Sequence, residues 1–209
     1  MLKALKLSIL LLCMPLLVMA AEFDFKEGVH YQTLTTQKSE QAKVTEFFSF
    51  YCPHCFRFEP VAKALEQSLP EGAVFEKSHV NFLGGLPAQV QSNLSYAYIV
   101  AKQMGKGDEI AAKIFDSIHV KKAPLNDIKD VKKLLDINGI NEKQFDAALA
   151  SMPVIAAEKL MQDEQNRFSK AGALSGVPTF IVSDKYKVNT NSLKSQEQFN
   201  ALVKHLLAK

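Results

Sequence analysis

The sequence predicts an α/β protein whose strand-forming part is interrupted by an all-helical insertion. Strand-forming runs rich in Val, Phe and Tyr occur before residue 83 and again after residue 176. Between them, from Gly84 to about Gly172, period-two alternation disappears and apolar residues recur at spacings of three and four. A helical pattern also separates the second and third strand runs. Those two strands are therefore expected to lie parallel, joined by a right-handed crossover.

The chain has 209 residues, enough for one domain with a substantial insertion or for two small ones. Residues 1–20 read as a secretory signal and not as part of the fold. Lys3 and Lys6 form a positive start, Leu7 to Val18 an apolar core, and Val18-Met19-Ala20 a small-residue cleavage site. A membrane anchor is the competing reading, but an apolar run of about a dozen residues falls short of the roughly 20 that span a bilayer.

Without Lys3 and Lys6, the 25 Lys and Arg fall to 23 against 22 Asp and Glu. That near balance has no basic stripe, so no nucleic-acid partner is expected. Cys13 leaves with the signal, and the cysteines of the mature chain are then Cys52 and Cys55. A disulfide scaffold would use several spaced pairs, so one Cys-x-x-Cys in an exported protein reads as a pair kept for exchange.

Val29 to Leu34 is the first expected strand, followed by a polar loop from Thr35 to Gln41. Lys43 to Tyr51 is the second, with Val44, Glu46, Phe48 and Phe50 on one face. A carboxylate among large apolar neighbours must raise its pKa or find a partner. Glu46 is thus either a proton acceptor or tuner beneath the cysteines, or an edge-strand residue reaching solvent; the pattern leaves both open.

The helix from Pro53 to about Leu69 carries Cys52, Cys55 and Glu59 on one face, with a kink expected at Pro60. Pro53 suits the first helical turn, because its missing N–H is no loss there, and this sets Cys52 at the helix N-terminus. Residues three apart have Cβ atoms roughly 5–6 Å apart, so Cys52 and Cys55 can bridge and reopen with little backbone movement. The free N–H groups and the helix dipole favour a thiolate at Cys52, and a protonated His54 adds to them. Stabilising that thiolate stabilises the reduced form and makes the disulfide a strong oxidant.

Ala73 to Val80 is the third strand, where Lys77 has the bland reading of a solvated strand residue. In the insertion, four helices are expected, followed by a long connecting helix from Pro153. Asp108, Asn126 and Asn141 serve as N-caps, and Gly105, Gly139 and Gly172 as stops. Aromatic and Met positions there read as core. Phe180 to Ser183 and Tyr186 to Asn189 form a hairpin about Asp184-Lys185, and Gln196 to Leu207 a final amphipathic helix.

Cys-Pro-His-Cys after Glu-Phe-Phe-Ser-Phe resembles the DsbA family of bacterial periplasmic thiol–disulfide oxidoreductases. Leu69-Pro70-Glu71-Gly72, His79-Val80-Asn81-Phe82, Gly84-Gly85 and Gly176-Val177-Pro178 extend the resemblance over nearly the whole mature chain. It implies a thioredoxin-like fold with an inserted all-helical domain, divided as 21–83 and 159–209 around an insertion of 84–158. DsbA itself is the known extreme of this chemistry, with a thiol ionising at about 3.5 against about 7 in thioredoxin.

The resemblance further implies that Glu46 influences the thiols and that Lys77 pairs with Glu46 and Glu59 in one charge network. It also places a cis proline at Pro178 opposite the cysteines, where Val177 offers backbone groups to an extended substrate. The implied activity is donation of the Cys52–Cys55 disulfide to unfolded exported proteins in the periplasm. No other cofactor is called for, and a membrane quinone-linked partner of the DsbB type would reoxidise a monomeric enzyme.

Two alternatives stand beside this. An isomerase or reductase would usually carry a dimerisation domain ahead of the catalytic one, and about twenty mature residues precede Lys43. A zinc or peptide-holding module would need a second ligand pair, which the spacing of His30, His79, His119 and His205 does not supply.

Overall fold

Five strands form one mixed sheet in the order β1-β5-β4-β2-β3. The strands are β1 (Tyr31–Thr33), β2 (Lys43–Phe48), β3 (Val74–His79), β4 (Thr179–Val182) and β5 (Tyr186–Val188). The molecule was studied as a computed structural model that describes residues 23–209. The expected signal at 1–20 lies outside the described residues. β2 runs parallel to β3 and antiparallel to β4, with Glu46 opposite Lys77 on one side and Phe180 on the other.

The helices are α1 (Pro53–Ser68), α2 (Ala88–Gln103), α3 (Gly107–Phe115), α4 (Ile128–Ile137), α5 (Glu142–Leu149), α6 (Met152–Lys170) and α7 (Gln196–Ala208). Thus four helices and the long α6 separate β3 from β4, as the apolar spacing predicts. α1 runs without interruption through Pro60. Gly105, Gly139 and Gly172 all take positive φ at helix ends, where a residue with Cβ would be strained.

Capping follows the expectation at Asn141, whose side chain accepts from Gln144 N–H while Gln144 reaches back. Elsewhere it shifts. The α4 cap is Asp127, one residue beyond the expected Asn126. Asp108 lies inside the first turn of α3, whose cap position falls to Lys106 because only three residues separate α2 from α3. β2 also stops at Phe48, since the Ser49 carbonyl accepts the Cys52 N–H at 3.1 Å and turns the chain. A π-helical turn, Asp116–Val120, continues α3; nothing in the apolar spacing announces it.

Three apolar cores result. One face of the sheet packs Val44, Phe180 and Val182 against Leu65 of α1 and Phe199, Leu202 and Leu206 of α7. The other packs Phe47 and Ile181 on Phe168 of α6. The third joins Leu94, Ile110, Phe115, Leu135 and Phe145 of the helices to Phe48, Phe50, Cys52 and Cys55. Each large side chain so buried contributes about 1.5–3 kcal/mol. The cysteines therefore sit where the insertion's core meets the sheet.

Candidate active site

Cys52 caps α1 in an extended conformation (φ −87°, ψ 112°), and Pro53 follows at the start of the helix. The Cys52 Sγ accepts the Cys55 N–H at 3.2 Å, and as a thiol it donates to the Val177 carbonyl at 3.4 Å. The two cysteines are unbridged. Cys52 keeps 8% of its surface exposed and Cys55 none.

The hydrogen bond from the Cys55 thiol, with help from the backbone N–H groups of Cys55 and His54 and the His54 charge, holds Cys52 down at about 6 despite its burial. Cys55 moves the other way. Its bond to Cys52 and its own burial push it well above the ordinary thiol range. At neutral pH one sulfur of the pair is thus an anion and the other keeps its proton.

Glu46 is fully buried on β2, an interior strand, so the edge-strand alternative does not apply. Its Oε2 lies 3.6 Å from Lys77 Nζ, an ion pair too long to be a hydrogen bond, and neither oxygen has a hydrogen-bond partner. Burial raises Glu46 to about 7, with Lys77 opposing and Glu59 adding to the rise. Lys77 keeps 14% side-chain exposure, bonds Glu59 Oε1 closely and lies 4.6 Å over the Phe48 ring. Burial lowers its pKa, but Glu46 and Glu59 outweigh that and leave it raised. Glu46, Glu59 and Lys77 are therefore brought together.

Across from Cys52 the Val177–Pro178 peptide bond is cis. A groove of about 690 Å³ runs from His54 along Val177 and Pro178 to Lys187 and Asn189. On the other side of α1, Glu59, Lys77 and Tyr98 line a cleft of about 350 Å³. Among the described residues no three His, Cys, Asp or Glu side chains converge as a metal site, and no helix is long and apolar enough to cross a membrane.

The profile of the DSBA-like thioredoxin domain family matches residues 43–204. The chain belongs to that family. Its DsbA relatives match over nearly full length. The thiol:disulfide interchange protein DsbA of Pectobacterium carotovorum is 32% identical, covering 91% of this chain and 92% of its own. That of Haemophilus influenzae is 33% identical over 89% of each. Among solved structures, a Proteus mirabilis DsbA with a non-covalently bound peptide PWATCDS superposes with a TM-score of 0.78 at 28% identity, over 90% of this chain and 100% of that one. A Klebsiella pneumoniae DsbA gives 0.78 at 26%. The protein is a DsbA-like thiol:disulfide oxidoreductase on a thioredoxin fold with an inserted helical domain.

Around this DsbA-type site lie contacts that the sequence does not announce. His79 is wholly buried, stacked on Phe50 at 5.0 Å with Nδ1 2.8 Å from Ser95 Oγ, and burial pushes it down to about 3. His119 Nε2 donates to the Phe50 carbonyl at 2.7 Å, and its ring stacks on Phe56 at 5.0 Å. The Tyr51 hydroxyl donates to the Leu125 carbonyl at 3.1 Å; burial raises it to about 12. The insertion thus grips Phe50, Tyr51 and Phe56 on both sides of the cysteines. The sequence signal for His79 is its place in the His79-Val80-Asn81-Phe82 segment that carries the family resemblance; His119 has none.

Proposed function

We propose that the chain is a disulfide-donating oxidase of unfolded exported polypeptides, with the Cys52–Cys55 disulfide as its whole redox centre. The observation that carries this is the opposite displacement of the two thiols, Cys52 down to about 6 and Cys55 up. An oxidase must release its substrate with Cys52 as leaving group, and a low-pKa thiolate leaves readily.

The reaction balances in two exchanges. A substrate thiolate attacks Cys52 Sγ of the oxidised enzyme; the Cys52–Cys55 bond breaks, and Cys55 departs with its electron pair and takes up a proton. Glu46, protonated up to about 7 and felt by Cys55 as a charge, is the proton source in this reading, with burial raising its pKa, Lys77 opposing the rise and Glu59 adding to it. A second substrate thiolate then attacks the substrate sulfur of the mixed disulfide. The substrate bond closes, and Cys52 leaves as the thiolate that Pro53, His54 and the helix N-terminus favour. Two electrons have passed from substrate to enzyme.

In this reading Val177 offers its backbone to an extended substrate beside Pro178. A membrane quinone-linked protein of the DsbB type takes the electrons on, and the enzyme works as a periplasmic monomer once residues 1–20 are removed. Equilibration of the mature protein with glutathione buffers tests the proposal. A potential close to DsbA's, about −120 mV, is expected; one near thioredoxin's, about −270 mV, overturns the oxidase role.

A further inference from the structure

The groove beside Pro178 can carry charge of one sign only. Its walls include His54 and Lys187 and no carboxylate, whereas Glu59, Glu66 and Asp108 line the cleft on the other side of α1. Register explains where Lys187 stands. It is paired with Gln32 of the edge strand β1 and with Ile181 of β4, so its side chain leaves the sheet on the face opposite Tyr186 and Val188, which pack toward α7. Lys187 is half-buried, and among the described residues no carboxylate lies within ion-pair reach of it. Gln32 and Asn191, both uncharged, line the same groove.

An ammonium without a counter-ion, in a concave site without acids, attracts an anionic group and repels a cationic one. We propose that Lys187 determines specificity, and that the enzyme prefers polypeptide segments carrying Asp or Glu close to the reacting cysteine. This rests on reading the groove as the seat of an extended substrate. Lys187 touches no reacting sulfur in this scheme. It therefore acts on substrate capture, and the preference is expected in KM more than in kcat.

The test uses the oxidised mature protein and three dithiol peptides that differ only in the residues flanking the first cysteine, Asp, Asn or Lys. At low salt the Asp peptide is expected to exceed the Lys peptide about tenfold in kcat/KM, with the ratio shrinking as salt screens the pair. Lys187→Gln should bring the ratio near one, and Lys187→Glu should invert it. Binding of the same peptides with Ser in place of Cys, followed by calorimetry, should give the same order without any redox step. Asp and Lys peptides binding and reacting within twofold of each other, or an Asp preference that survives Lys187→Glu, overturns the proposal. Failure of the oxidase reading would look different: the Asn peptide would stay reduced while the binding order held.

Discussion

Glu46 and Lys77 are register partners on adjacent parallel strands, their charged atoms 3.6 Å apart, yet the ammonium bonds to Glu59 and not to Glu46. The buried carboxyl beneath the cysteines is thus held near a positive charge without being satisfied by it. Burial in that half-satisfied arrangement raises Glu46 to about 7, close to neutral pH.

Glu46 therefore costs stability in alkali. Its folded pKa of about 7 exceeds the unfolded value of about 4.3, so the folded state binds the extra proton between them and stability falls as pH rises through that window. Glu46→Gln should stabilise the reduced protein by on the order of 3 kcal/mol above about pH 8, and by nothing at about pH 4. Urea unfolding at the two pH values checks this; a gain independent of pH would refute it.

His79 has the opposite sign. It is depressed to about 3 against about 6.5 unfolded, so its contribution is complete above about 6.5 and drains away as pH falls toward 3. His79→Gln should remove about 1.4 kcal/mol per pH unit from the acid slope of unfolding free energy between about pH 4 and pH 6. The slope is the readout, because loss of core packing lowers the whole curve without tilting it.

The low Cys52 pKa depends on Cys55 more than on any other partner. In the reduced Cys55→Ala variant, the ultraviolet titration of the Cys52 thiolate should move upward from about 6. A midpoint unmoved by the substitution would mean that the helix N-terminus alone holds the anion.

Far from the cysteines, Lys43 lies 3.3 Å from Glu164 and 3.2 Å from Asp184, and Arg167 lies 3.0 Å from Asp184, so α6 is bound to the sheet. Lys43→Met should cost about 1–3 kcal/mol at neutral pH, because Glu164 and Asp184 are then left with Arg167 as their shared cation. Burial holds Glu164 above the usual carboxylate range, so the loss should shrink early on acidification. Denaturant midpoints across pH would measure both effects.

What the sequence reveals is what local geometry controls. Cys52, Pro53 and Cys55 read correctly as a capped first turn because every relation among them spans three residues. Strand periodicity gives Glu46 a face but not neighbours, since its burial depends on β2 lying between β3 and β4, and only family resemblance joins it to Lys77 and Glu59. Val177 is separated from Cys52 by 125 residues, and only family resemblance placed it opposite the thiol. His119 and Leu125 act on the site through packing of the insertion, a relation that no periodicity encodes. β2 ends three residues before Tyr51 and the cap of α3 falls two residues before Asp108, because a serine turn and a short helix connection override propensity.

The pairing of β2 with β4 has a consequence for order of synthesis. A ribosome adding roughly 5–20 residues per second delivers Val177 on the order of ten seconds after Cys52. Throughout that interval the nascent chain carries both thiols without the loop that will face them. Any oxidant or folding helper that meets the newborn chain encounters a Cys-x-x-Cys segment that Val177 does not yet cover.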